Sequence, residues 1–327
     1  SDPLNTLPGP DRAKHPGTLI WEIIARNHPL QGVGTWASPA NAALDTSTHD
    51  FLVSRGYSEA AIRLLHDTNP YYGKAARETS LLMWLAAQRW YETQQKREPV
   101  ALVAQGGNSS IPEAMARALA AEVHLGKAVT SIRQSPSGVQ AECEDGSRWT
   151  GRYAVCALPL APLRWMRFDP LLPAHWLEAV QMLPQMWITQ VHLVAERPFW
   201  ESDGLNPAMW TDGPAGSVVP YRNGSREADV TSLTAWGRGF TAQHLDSLGP
   251  EGAGRAVVAA IEALRPAARG ALRVAGFKSW QLDPFAGGDW VVWSPGLATR
   301  LQPRLVEPFG RIHFAGEHLA LADRGME

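Results

Sequence analysis

Apolar residues recur at helical spacing early in the chain and alternate with polar ones later, and the change of period marks out the elements. Prolines at 3, 8, 10, 16, 29 and 39 interrupt any pattern over Ser1–Pro39, which reads as an arm or linker with one helical candidate, Thr18–Arg26. A helical block follows. Ser47 or Thr48 is placed to cap His49–Ser54, Ser58 to cap Glu59–His66, and Arg77–Gln95 carries a long apolar pattern through Leu81, Leu82, Trp84, Leu85 and Trp90. Ser110-Ile111-Pro112-Glu113 has the form of a capping box opening a helix Glu113–Glu122.

The period then shifts to two. Strands are expected over Lys127–Gln134, Val139–Glu144 and Arg148–Leu158, joined by the hairpin-forming segments Ser135-Pro136-Ser137-Gly138 and Asp145-Gly146-Ser147. Leu160–Leu172 is irregular and Ala174–Met182 helical. A long strand, Met186–Glu196, opens a second sheet with Ala208–Thr211, Ser217–Tyr221, Val230–Trp236 and Ala271–Trp280, and an amphipathic helix Gly252–Leu264 precedes the last of these. Arg311–Ala315 is a final strand, broken by Gly316. Such interleaving implies α/β and α+β architecture in two domains, each assembled from discontinuous segments.

Composition narrows the function. With 30 basic and 32 acidic side chains the net charge is 30 − 32 = −2, and no basic run tracks a phosphate backbone, so nucleic acid is excluded as a partner. The apolar stretches are too interrupted for a membrane span of about 18 residues, and no signal peptide or lipid anchor is visible. The chain therefore reads as cytoplasmic, with the periplasm left open because what precedes residue 1 is not seen. Cys143 and Cys156 lack ligand spacing and read as buried free thiols, and His313 and His318 are badly placed for a metal. Gly32-Val33-Gly34 and Gly252-Ala253-Gly254 follow no strand, so neither aims its amides at a pyrophosphate. Fourteen tryptophans exceed what a core needs and suggest a pocket for a flat or apolar ligand, although most will be core.

The late part of the chain carries the chemistry. Gly310-Arg311-Ile312-His313-Phe314-Ala315-Gly316-Glu317-His318 followed by Arg324-Gly325-Met326-Glu327 resembles the C-terminal flavin signature of the flavin-containing amine oxidases, the relatives of monoamine oxidase. Gly106–Pro112, Tyr153–Pro159 with Phe168–Pro173, Glu196–Trp200 and Trp280–Gly288 resemble further landmarks in the family's order. The resemblance implies an arm at 1–35, a substrate-binding domain of 36–96 and 164–272, and a partial FAD-binding domain with a three-stranded meander from 97–163 and 273–327. It implies FAD held by Val129, Pro159, Trp280, Gly316, Glu317 and Met326, non-covalently because no cysteine lies near Gly288 or Gly316. Hydride would pass from the carbon beside a neutral amine to the flavin, and water would hydrolyse the imine. The implied partners are a small amine or amino acid and oxygen or another electron acceptor, with a homodimer left open.

Three departures qualify the resemblance. The glycine-rich nucleotide fold and a last helix are expected outside residues 1–327, so the chain as given is expected to be inactive alone. The lysine that many members hold near the reactive flavin edge corresponds to Gln190, the candidate catalytic residue, with Thr189 and His192 beside it. The paired tyrosines of the monoamine oxidase cage are replaced by Asp289 or Trp290 and by Gly325, which implies a substrate other than a simple arylalkylamine. Trp280, Asp289 and Trp290 are the candidate substrate contacts, with Trp293 either in the pocket or in an aromatic cluster, and an extended backbone would point Asp289 and Trp290 in opposite directions. Two alternatives stay open: an FAD-dependent desaturase or protoporphyrinogen-oxidase-like enzyme, and a non-catalytic binding protein of the same fold.

Overall fold

A computed structural model describes residues 5–95, 104, 106–222 and 229–322. Helix α1 (Pro16–Arg26) starts on a proline, where the missing N–H would be unpaired anyway, and buries Leu19, Ile20, Ile23 and Ile24 along one stripe. Ser47 caps α2 (Thr48–Ser54), its Oγ accepting from the Asp50 amide at 2.9 Å, and Ser58 caps α3 (Glu59–Ile62). The helix expected to reach His66 instead widens into a π-helical turn over Arg63–Asp67. α4 (Leu81–Gln95) begins four residues later than expected, because the amide of Thr48 and the carbonyl of Thr79 pair at 2.9 Å and hold the preceding chain away from the helix. α5 (Ser110–Ala118) starts and ends earlier than the capping box predicts. Its Ser110 Oγ donates to the Gly107 carbonyl at 2.7 Å rather than capping an amide, and Pro112 falls within the first turn, where no N–H is needed.

Strands β1 (Val129–Ser135), β2 (Gly138–Cys143) and β3 (Arg148–Gly151) form an antiparallel meander. The expected strand Arg148–Leu158 is two strands: after β3 the chain turns, and β4 (Ala154–Cys156) leaves to pair elsewhere. The one-turn α6 (Leu160–Leu163) and β5 (Arg167–Asp169) occupy the irregular stretch, β5 running parallel to β1 and extending the meander to four strands. After α7 (Ala174–Met182) come β6 (Ile188–Ala195), the short α8 (Phe199–Asp203), β7 (Met209–Trp210), β8 (Ser217–Tyr221) and β9 (Ser232–Arg238). α9 (Phe240–Leu264) begins twelve residues before the amphipathic segment and breaks at Gly249, whose φ of 67° precedes Pro250. β10 (Leu272–Ser279) completes an antiparallel sheet of order β10-β6-β9-β8-β7, and α10 (Ala298–Leu305) precedes β11 (Ile312–Phe314), the parallel partner of β4.

The five-stranded sheet has two unlike faces. Val191, Leu193, Val218, Leu233 and Ala235 are buried against Leu245, Ala253, Val257 and Ile261 of α9. Gly254 lets that helix lie close, since a Cβ there would come within 3.0 Å of Val274. The register pairs Gln190 with Trp236 and Lys278, and Trp236 with Ser217, so these four share the opposite face. A larger core joins α1, α4, α7 and α10, with Trp36, Trp84, Trp176 and Trp293 fully buried. Trp293 packs edge-on against Trp36 at 5.8 Å, so it is a core residue and not a pocket wall. Among the described residues no helix is long and apolar enough to cross a membrane.

Candidate active site

The polar face of the five-stranded sheet meets the ends of β4 and β11 at a cleft of about 510 Å³. Gln190 and Trp236 project from β6 and β9, and Trp280 follows β10. Pro159 lies beyond β4, and Gly316 and Glu317 beyond β11. Asp289, Trp290 and Val291 close the remaining side. Seven of the nine residues named from the sequence thus lie together. Val129 opens β1, half-buried against the large core and away from the cleft, and Met326 lies outside the described residues.

Gln190 and Trp280 form a unit. The indole Nε1 donates to the Gln190 amide oxygen at 2.9 Å, and the Lys278 ammonium sits 4.7 Å over the indole ring while pairing with Asp283 at 2.6 Å. Their support lies under the sheet. Thr189 points away from Gln190 and donates to Asp246 at 2.7 Å; Ser279 donates to the same carboxylate at 3.0 Å, and Gln281 joins it while accepting the Ile188 amide at 2.8 Å. Thr189 is therefore not a cleft residue. His192 shares the face of Gln190, but its Nδ1 is occupied by Thr234 Oγ1 at 3.0 Å, and burial lowers its basicity.

Asp289 and Trp290 both line the cleft, since the segment is not the extended backbone that would point them in opposite directions. The reason is local: residues 285–290 form turns and bends, and only Val291 makes a β-bridge, to Gln185. Gly288 permits this path. Its φ is +141°, and a Cβ would fall 2.7 Å from the Gln185 Cβ and 2.9 Å from the Met186 carbonyl. The segment is pinned by the Asp289 amide on the Met186 carbonyl at 2.9 Å and by Gln185 Nε2 on the Asp289 carbonyl at 3.0 Å. One Glu317 oxygen accepts the Val291 amide at 3.0 Å. Burial, reinforced by the nearby Glu317 and opposed by Arg238, pushes the Asp289 carboxyl up to about 6.

The residues present fit the ring end of FAD. Ala157, Pro159 and Gly316 lie just past the C-terminal ends of the parallel strands β4 and β11, the side of a parallel pair where ligands gather. Gly316, with φ of +135°, puts bare backbone at that wall, and a Cβ there would press within 3.0 Å of the His318 ring. Trp280 and Trp290 supply flat apolar walls. Neither early glycine pattern cradles phosphate: Val33–Thr35 is a 3-10 turn and Gly252–Gly254 lies inside α9. Both cysteines are buried and free, and the described residues hold no cluster of three or more metal-ligating side chains. Trp236, which also lines the cleft, was missed from the sequence. The alternation Thr234-Trp236-Arg238 against Leu233-Ala235 was the available signal, but a single strand does not say which sheet face borders a cleft.

The chain matches known proteins at the level of sequence and fold. It is 25% identical over 225 residues to an L-amino-acid oxidase of Bothrops jararacussu, covering 66% of this chain and 45% of the relative. To the L-amino-acid oxidase of Demansia vestigiata it is 24% identical over 289 residues, covering 84% and 54%. The chain thus spans about half the length of these relatives. A putrescine oxidase solved with putrescine bound superimposes with a TM-score of 0.78 at 21% identity, over 98% of this chain and 73% of that one. The cyclohexylamine oxidase of Brevibacterium oxydans IH-35A gives 0.76 at 23%, over 98% and 72%. These likenesses show a mixed α/β fold of the amine oxidase type. Residues 40–327 match the flavin-containing amine oxidoreductase model, and the chain belongs to that family.

Proposed function

We propose that this chain supplies the substrate pocket and the flavin-ring wall of an FAD-dependent enzyme that oxidises an amine or amino acid. The observation that carries the reading is the single cleft that joins a glycine and proline wall for the ring to the Gln190–Trp280 pair and to a buried carboxyl near neutral pKa. In this reading 36–96 and 164–272 form the substrate side, 97–163 and 273–327 the flavin side, and FAD is held without a covalent bond.

Held against the wall of Pro159, Gly316, Trp280 and Trp290, FAD would supply the acceptor for the hydride on the carbon beside nitrogen and a route for its electrons to oxygen or another acceptor. The substrate must arrive with its nitrogen lone pair free. Trp236, Trp280 and Trp290 shed water around it, which weakens the ammonium's hold on its proton. The Asp289 carboxylate, ionised above about pH 6, accepts that proton. Trp280 occupies the Gln190 amide oxygen, which leaves the NH2 group to orient the water that adds to the imine carbon and releases ammonia. A carbon-bond desaturation also gives up a proton beside its hydride, so Asp289 serves either reaction, and release of ammonia is what separates them. The test is incubation of the flavin-loaded full-length protein with amines and amino acids. Equal amounts of ammonia and carbonyl product support the reading; a carbon–carbon double bond formed without ammonia refutes it.

A further inference from the structure

Arg238 ends β9 two residues beyond Trp236, hence on the cleft-facing side of the sheet. Its guanidinium carbon lies 5.5 Å from the Trp236 ring and 5.7 Å from the Tyr71 ring. Tyr71 in turn stands 6.4 Å from the Trp290 ring. Trp236 and Trp290 line the cleft, and the guanidinium packs beside Trp236 and Tyr71, next to that lining. Among the described residues Nε is buried with no acceptor, and the side chain's hydrogen bond is a long one, Nη1 to Ser217 Oγ at 3.5 Å. Among the described residues no carboxylate pairs with it directly; Asp289, its acidic neighbour, acts from beyond ion-pair distance.

A second polar group beside it is also incompletely used. Asn69 Nδ2 donates to the same Ser217 hydroxyl at 2.6 Å, while Asn69 Oδ1 is buried without a partner among the described residues. An arginine keeps its charge when buried, and a buried charge without a counter-ion is costly. Its planar fork matches a carboxylate. Around the same cleft stand the carboxyl of Asp289, suited to the substrate nitrogen, and flat walls suited to an apolar or aromatic side chain.

We propose that Arg238 binds the carboxylate of the substrate, so that this cleft takes an α-amino acid with an apolar or aromatic side chain in preference to the corresponding simple amine. The inference deepens the reading of the cleft as an amine-oxidising site and rests on it. Arg238 anchors the carboxylate end, the aromatic walls take the side chain, and the nitrogen is left facing Asp289.

The experiment uses the flavin-loaded full-length protein and its Arg238→Gln and Arg238→Lys variants, with fold and flavin content checked by circular dichroism and absorbance. Two probes that cannot be oxidised at an amine, 3-phenylpropionate and its neutral amide, are titrated by tryptophan fluorescence. Both enantiomers of phenylalanine and 2-phenylethylamine are then tested as reductants of the flavin. Arg238→Gln is expected to weaken 3-phenylpropionate roughly 100-fold, the scale for losing one partner of a buried charge pair, and to leave the amide unchanged. Arg238→Lys is expected to fall between. KM for the accepted phenylalanine enantiomer should rise by a similar factor, and by far more than that for 2-phenylethylamine, which feels Arg238 only through Asp289. Arg238-dependent binding of the acid with no reduction by any amine would keep the anion site and refute the oxidase reading. Reduction by 2-phenylethylamine, with 3-phenylpropionate bound equally by parent and Arg238→Gln, would keep the oxidase reading and overturn this one.

Discussion

Replacing Asp289 by asparagine keeps the shape of the side chain and removes its charge, which isolates the effect of burying that carboxylate. In the fold the group titrates near 6 against an ordinary 3.8, a difference of 6 − 3.8, about 2. At about 1.36 kcal/mol for each tenfold, ionised Asp289 costs the fold on the order of 3 kcal/mol relative to the unfolded chain. The sign follows from the raised value. The stabilising contribution of the protonated group is fully present below about pH 3.8 and is lost as pH rises through about 6. Asp289→Asn should therefore be more stable than the parent at about pH 8, by up to about 3 kcal/mol, and close to it at about pH 4. The backbone bonds that pin the segment do not involve the side chain, so the variant keeps them. Urea unfolding of both proteins across this range measures the difference. A gap that does not change with pH, or a variant less stable under alkaline conditions, would show that Asp289 is not a buried carboxylate with a raised pKa. The same variant should lose the rise of kcat/KM through about pH 6.

Three further outcomes follow from the same geometry. Gly288→Ala places a methyl group against the Gln185 Cβ and the Met186 carbonyl at a φ that L side chains avoid; a loss of roughly 2 kcal/mol or more is expected, read as a lower unfolding midpoint, and an unchanged midpoint would mean the segment relaxes freely. Gln190→Lys adds a positive charge beside the ring wall, which should speed reoxidation of the reduced flavin by oxygen more than reduction by substrate; stopped-flow traces with both half-reactions unaltered would make Gln190 structural. Denaturing the flavin-loaded protein should release all of its flavin, and flavin left on the polypeptide would contradict non-covalent binding.

How far the sequence carried can be read from particular elements. β6 was legible because Thr189–Val194 alternates buried and half-buried positions, and the same alternation separates Gln190 on the cleft side from Thr189 on the side of Asp246. Gly316, Glu317, Pro159 and Trp280 could be located through the motifs that carry the family resemblance, and the fold brings them to one cleft. What failed was set by partners far along the chain. Arg148–Leu158 looks like one strand, and it divides because its second half pairs with β11 about 160 residues later. β5 is three residues in a proline-punctuated stretch and exists by pairing with β1, while α10 contains Pro303 and has no side-chain N-cap to announce it. Arg238 escaped notice because its significance lies in what does not neutralise it, and that depends on the register of β6 and β8 against β9.

The central claim is that an amine or amino acid delivers hydride in the cleft formed by Gln190, Trp280, Asp289 and the Gly316 wall. Anaerobic mixing of the flavin-loaded full-length protein with a panel of amines and amino acids tests it most directly. The account predicts that at least one of them bleaches the flavin in a single turnover, at a rate that saturates with substrate and falls when the hydrogen bound to the reacting carbon is replaced by deuterium. A flavin that stays oxidised with every amine and amino acid, yet is reduced by a substrate lacking nitrogen, would contradict it.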